Sequence, residues 1–395
     1  MNPEIGIQYF YTSSKPIGGV IKERPEDFIV EEIDRHLRLH RIGYSPIEKF
    51  LDLLPKRRKT YLHVTLVKRN YDTLRAIRMI SKQLGISRKR IGYAGNKDKF
   101  ALTSQRISIY QATISQVRQV RLKEILLKNF SYADDPIRIG ELYGNRFTIR
   151  ISQIFLEPEV VKARIEEFLR EARMGLPNFF GIQRFGEQRA INHLVGKKIL
   201  LGDFEGAVKI LLTSTSELEG EENREARLFL AQNWGDWKEA IKRFPKELHI
   251  ERLVVEHLIR SRNDFIGALR RIPKQIRLMF INAYQSYIFN LTLSEMIRRG
   301  FRENVSVPLV GFNTKLEGEI GEIVEEILRR EKITLENFKV ESMPEMSFSG
   351  SSRDYLFFPE KFKIIKVKKG EAVIQFVLRK ACYATTLLNE LMKNI

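Results

Sequence analysis

The chain has 395 residues, of which 43% are hydrophobic and 30% charged, and its 68 Lys and Arg outnumber its 49 Asp and Glu to leave a formal net charge of +19. That length is enough for two or three domains with a sizeable core, and the balance fits a soluble globular protein. The lone cysteine, Cys382, excludes a disulfide framework and a cysteine zinc site, and no apolar run is long enough to span a bilayer. His36 and His40 could share a helix face, but no third ligand stands near them, so no metal is expected. The excess of positive charge points to a polyanionic partner, nucleic acid first. A heat-adapted surface would explain many charges of both signs but not that excess. The opening Met-Asn-Pro-Glu-Ile-Gly has no signal-peptide pattern, so a cytoplasmic location is expected.

In chain order, Gly18–Ile33 reads as two short strands around the turn Pro25-Glu26-Asp27. Phe28 and Val30 share one face there, and on pattern alone Phe28 is a core side chain. His36–Lys59 reads as a basic loop ending in Arg57-Arg58-Lys59, either on phosphate or solvated. Tyr61–Val67 alternates as a strand. Asp72–Leu84 has helical spacing, with Asp72 as cap and Gly85 closing it. The cations Arg88-Lys89-Arg90 then lead into the stretch on which the rest turns.

That stretch runs from Ile91 to Tyr110. Its ends, Ile91–Tyr93 and Gln105–Tyr110, read as strands. The loop between them holds Gly95 and a single acid, Asp98, with Lys97 and Lys99 on either side. A cation on each side favours the charged form of an acid, and loops braced by strands often carry catalysis. A solvated turn with ordinary charges is the plain alternative. A phosphate-cradling Gly-x-x-x-x-Gly-Lys-Ser/Thr is absent, and Asn96-Lys97-Asp98 puts its acid one residue too early for a guanine-reading motif, which sets a GTPase aside.

Further on, Val120–Lys128 reads as a short helix, and Ile137–Leu142 and Asn145–Ile151 as strands joined at Tyr143-Gly144. Pro158–Met174 is an amphipathic helix, with Pro158 in its first turn and Gly175 after it. In Pro177-Asn178-Phe179-Phe180-Gly181-Ile182-Gln183-Arg184-Phe185-Gly186, rings, an amide and a cation crowd between glycines. That mixture suits a flipped base, stacked on a ring and read at its edge, or a buried aromatic turn. Helical candidates follow at Ala190–Leu201, Phe204–Leu212, Glu222–Ala231, Trp237–Phe244, His249–Arg260, Asn263–Arg270 and Pro273–Arg299. Tyr284, Tyr287, Ile288 and Leu291 fall at core spacing in the last of these. Arg353–Val367 and Ala372–Leu378 return to strand patterns, and no internal repeat is read.

Gly92–Gln105 closely resembles the signature of the TruD family of pseudouridine synthases, roughly A-G-x-K-D-x-x-A-x-T-x-Q. Further blocks in the family's order are Lys22–Glu32, Gly144–Phe147, Pro177–Gly186 and Ala283–Asn290, with a weaker match at Val307–Gly311. Phe179 stands where the family often has Tyr. The terminal block departs at Arg379, Ala381 and Asn389, so no chemistry is assigned to it. The resemblance implies an α/β fold: a mixed, largely antiparallel sheet of pseudouridine-synthase type flanked by helices. Residues 1–189 and 350–395 would form the catalytic domain, and 190–349 a mainly helical inserted domain. It implies isomerisation of uridine to pseudouridine in transfer RNA, at the D-stem uridine conventionally numbered 13, with no cofactor and no obligate protein partner. It implies Asp98 as the catalytic residue, as nucleophile or as base toward the ribose, and Lys22, Phe28, Lys97, Asn178, Phe180 and Arg184 at the substrate. A non-catalytic RNA-binding protein is the alternative. A methyltransferase would need a glycine-rich nucleoside-binding turn, which is not found.

Overall fold

The computed structural model describes residues 2–394. The chain forms two compact units, one of Thr12–Leu176 with Phe358–Ile395 and one of Met1–Tyr11 with Pro177–Phe357. These divisions fall at 176/177 and 357/358, whereas the sequence blocks suggest 189/190 and 349/350.

The first unit is built on a nine-stranded sheet. Its order is Glu360–Lys368, Gly370–Arg379, Leu142–Ile154, Phe28–Asp34, Leu102–Tyr110, Tyr61–Arg69 and Ile125–Ala133. Two short strands lie off this path: Val20–Ile21 pairs with Leu142–Ile154, and Ile91–Tyr93 with Leu102–Tyr110. Every pairing is antiparallel except that of Phe28–Asp34 with Leu102–Tyr110, where Ile29 faces Leu102 and Glu31 faces Ser104. Alternation puts Leu62, Val64 and Leu66 on one face with Ile107 and Ile109, against Ala76, Ile77 and Ile80 of the helix Thr73–Gln83. Each buried Leu, Ile or Val among them stabilises the fold by roughly 1.5–3 kcal/mol. Asp72 caps that helix by accepting from the Arg75 N–H at 2.8 Å.

One edge of Leu102–Tyr110 is divided between two strands. Phe28–Asp34 pairs with it over 102–104 and Ile91–Tyr93 over 107–109. The gap falls at Arg106, whose main-chain N–H donates to Glu32 Oε1 at 2.9 Å. A buried carboxylate thus completes the ladder where no strand does.

Three readings of the sequence are corrected in this unit, and one helix is added. Val120–Lys128 is not a helix: Glu124 turns the chain at φ +64°, and Ile125–Ala133 is a strand on Tyr61–Arg69, bulged at Asn129 (φ +55°). The apolar run there has helical spacing, but ladder pairing overrides it. His36–Lys59 is not all loop, since Pro46–Leu53 is a helix. Ser45 caps it and Glu48 closes a capping box, a signal that stood in the sequence. Leu142–Ile154 is one strand rather than two. Gly144 serves close approach instead of a turn, because a Cβ there would stand 2.1 Å from the Leu378 carbonyl oxygen. The terminal segment forms a helix, Ala384–Met392, that no pattern above anticipates.

The second unit is mainly helical. The seven expected helices form within a few residues of their expected ends, and an eighth, Gly318–Arg330, was not anticipated. A hairpin pairs Ser306–Leu309 with Ser351–Asp354. Three helices begin alike. Asp203, Asp236 and Asp264 are N-caps with φ from −82° to −86°, each accepting from the N–H three residues on. An aromatic follows each cap (Phe204, Trp237, Phe265), and a fully buried alanine lies four residues after it (Ala207, Ala240, Ala268). The recurrence is short and degenerate, so composition does not expose it.

Candidate active site

Asp98 sits in the loop between Ile91–Tyr93 and Leu102–Tyr110, and its main chain is held from below by buried polar side chains. Thr73 Oγ1 accepts from the Lys97 N–H at 3.0 Å and donates to Gln105 Oε1 at 2.9 Å. Gln105 Nε2 donates to the Gly95 carbonyl at 3.1 Å. Lys68 Nζ donates to the carbonyls of Tyr71 (2.5 Å), Asp98 (2.9 Å) and Lys97 (3.4 Å). Each buried group is satisfied, so the network fixes the loop instead of weakening it.

The Asp98 side chain is 27% exposed, and Lys22 Nζ donates to its Oδ1 at 3.3 Å. A pair this exposed is worth at most about 1 kcal/mol, so it orients more than it stabilises. Lys22 adopts φ +61°, a left-handed conformation that a lysine seldom takes. Its ammonium also lies 4.3 Å from the centroid of the Phe28 ring. Phe28 is 2% exposed and packs edge-on against Phe147 at 6.0 Å.

Lys97 points elsewhere. Its Nζ donates to Glu32 Oε2 at 2.6 Å, with side-chain exposures of 3% and 1%. It therefore tethers the loop to the sheet through the carboxylate that also receives the Arg106 N–H. Lys99 is exposed. The cation beside the Asp98 carboxylate thus comes from Lys22, 76 residues away in sequence, and not from Lys97.

The other expected residues belong to the helical unit. The Asn178 N–H donates to the Tyr355 carbonyl at 2.7 Å and its Nδ2 to that of Asp354 at 3.2 Å, and its Oδ1 accepts from the Arg353 guanidinium. Phe180 is buried, with Arg353 4.2 Å and Arg184 5.2 Å from its ring centroid and Phe289 edge-on at 5.4 Å. Asn290 grips its main chain at both ends, accepting from the Phe180 N–H at 2.9 Å and donating to its carbonyl at 3.0 Å. Phe179 and Phe185 are buried as well. Arg184 Nε and Gln183 Oε1 are buried without a hydrogen-bond partner.

Sequence reasoning missed the roles of Lys68, Thr73, Glu32 and Arg353. Glu32 and Gln105 stand inside the quoted blocks. Lys68 fell just past the expected strand Tyr61–Val67, and Arg353 entered only as the start of a later strand pattern.

No helix among the described residues is long and apolar enough to cross a membrane. The family model for tRNA pseudouridine synthase D (TruD) matches residues 4–305 and 299–391. A Methanosarcina acetivorans protein named "Probable tRNA pseudouridine synthase D" is 35% identical, over 99% of this chain and 96% of its own. A Methanopyrus kandleri protein of the same name is 39% identical over 83% and 84%. The crystal structure of a Methanosarcina mazei protein, described as a candidate tRNA pseudouridine synthase D (TruD), superposes with a TM-score of 0.78 at 34% identity, over 99% of this chain and 97% of that one. With the ordered sequence blocks and the mixed sheet, these matches make the chain a member of the tRNA pseudouridine synthase D (TruD) family.

Proposed function

We propose that this protein isomerises uridine to pseudouridine in transfer RNA, with Asp98 as the reacting carboxylate and the D-stem uridine at position 13 as its target. The observation that carries the reading is a solvent-accessible carboxylate, with one ammonium at 3.3 Å, on a loop whose main chain is tethered at Gly95, Lys97 and Asp98. The reaction breaks the bond between uracil N1 and ribose C1′, turns the base and forms a bond from C5 to C1′. The C5 proton is lost and N1 gains one, so no oxidant, reductant or group donor is consumed. The carboxylate acts at the ribose, either as nucleophile on C1′ or as base. Both roles use the ionised form, which is also the form that accepts from Lys22. Phe28 serves the site from beneath, as the ring on which the Lys22 ammonium rests.

Lys97 acts through loop position, by way of Glu32. Asn178, Phe180 and Arg184 are proposed to serve the same substrate, with the Phe180 ring supporting the guanidiniums of Arg353 and Arg184. In this reading residues 1–189 and 350–395 form the catalytic domain and 190–349 the inserted one, working in the cytoplasm on an RNA drawn by the +19 balance. The test is to incubate unmodified transfer RNA with the protein and map pseudouridine by sequencing. Pseudouridine at the D-stem position supports the full reading. Pseudouridine elsewhere refutes the target, and none at all refutes the activity.

A further inference from the structure

We propose that Lys68 is a positioning residue for the reacting carboxylate: its buried ammonium grips the carbonyls of Tyr71, Lys97 and Asp98 and so fixes the main chain from which Asp98 projects. The inference rests on the reading of Asp98 given above.

Lys68 lies near the end of the strand Tyr61–Arg69, in register with Thr103 on one side and Ile125 on the other, and it is fully buried. Earlier inward positions of that strand, Leu62, Val64 and Leu66, are apolar. Its partners are three main-chain carbonyls, at 2.5, 2.9 and 3.4 Å, and not a carboxylate. Burying an ammonium away from a carboxylate is expensive unless its donors are met. An ammonium has three N–H donors, and here each finds an oxygen. A neutral amine has two, and its lone pair would then face a carbonyl oxygen. The grip is thus specific to the charged form. Thr73 and Gln105 hold Lys97 and Gly95 in the same loop, but Lys68 reaches the carbonyl of Asp98 itself.

The charges facing Lys68 are Asp98 and Asp72, which favour its proton, and Lys97, which opposes it; burial outweighs them and lowers its pKa to about 8. Lys22 and Glu32 act one step further out, on Asp98 and Lys97. The proton therefore leaves in mildly alkaline solution, and the loop loosens as it does.

The experiment measures single-turnover pseudouridine formation on an unmodified transfer RNA transcript with enzyme in excess, from about pH 7 to pH 9, for the wild type, Lys68→Met and Asp98→Asn. Methionine keeps the apolar stem and removes the donors. Displacing a reacting group by about 1 Å costs ~100-fold, so Lys68→Met should react about that much more slowly while its Kd for the RNA stays unchanged. The wild-type rate should fall through an alkaline limb with a midpoint near pH 8, and Lys68→Met should lack that limb. A wild-type rate flat across the range overturns the proposal without any variant, which covers the case of Lys68→Met failing to fold. So does a Lys68→Met rate equal to wild type, or a limb that persists in it. If Asp98→Asn is inactive and Lys68→Met unimpaired, the positioning role alone falls; an active Asp98→Asn overturns both readings.

Discussion

Lys97 separates two accounts of the loop. Had its charge acted on the neighbouring Asp98, Lys97→Met would lower turnover and leave stability nearly unchanged. The structure buries it against Glu32 instead, at 2.6 Å with 3% and 1% side-chain exposure. Removing one partner of such a pair strands a buried carboxylate, which typically destabilises by about 3–5 kcal/mol. A surface pair would be worth only about 0–1 kcal/mol. Lys97→Met should therefore destabilise the sheet unit by several kcal/mol. Adding Glu32→Met should recover part of this, because the stranded charge goes. Recovery should stop about 1–3 kcal/mol short, because the Arg106 N–H then loses its acceptor. Hydrogen exchange on peptides covering 102–110 reads the loss directly. Trp234 and Trp237, both in the helical unit, give an internal control by fluorescence. A loss below about 1 kcal/mol for the single variant would refute the buried tether.

Phe180→Ala should destabilise the helical unit by about 3–5 kcal/mol, since the ring is 3% exposed, and the tryptophan transition should move accordingly; an unmoved transition would put the ring outside the core. Acid should weaken both units, because burial lowers His40 and His193 from 6.5 to about 4. Their stabilising neutral forms are favoured fully above about pH 6.5, and stability drops as pH falls toward about 4, by up to roughly 3 kcal/mol per histidine. A melting temperature that stays level from pH 7 to pH 4.5 would contradict this. Transfer RNA binding should weaken steeply with salt, with log K falling roughly 0.7–0.9 per phosphate contact for each tenfold rise; a flat titration would remove RNA as the partner.

The strands around Asp98 and most helices were legible because their periods are long or clean. The Asp72 cap and the helix after it follow from spacing alone. The strand Ile125–Ala133 was not legible, because its apolar residues also fit a helix and only pairing with Tyr61–Arg69 decides. At the site, local sequence named the acid but not its surroundings. Lys97 adjoins Asp98 in the chain yet turns to Glu32, while Lys22 arrives from a distant segment on a left-handed backbone. The tethers by Lys68 and Thr73 are tertiary hydrogen bonds, which no period encodes. The aromatic block around Phe180 was legible as a motif. Its burial under Arg353 depends on a strand far along the chain.

Asp98→Asn tests most directly whether the Asp98 carboxylate does the chemistry. The substitution keeps its shape and removes the charge. At 27% side-chain exposure and with Lys22 as its one ion-pair partner among the described residues, the change should alter stability by no more than about 1 kcal/mol. The measurement is single-turnover pseudouridine formation on transfer RNA, with a binding titration on the same folded sample. We predict a rate lower by on the order of 10⁴-fold or more at undiminished affinity. Near-normal turnover would contradict the account.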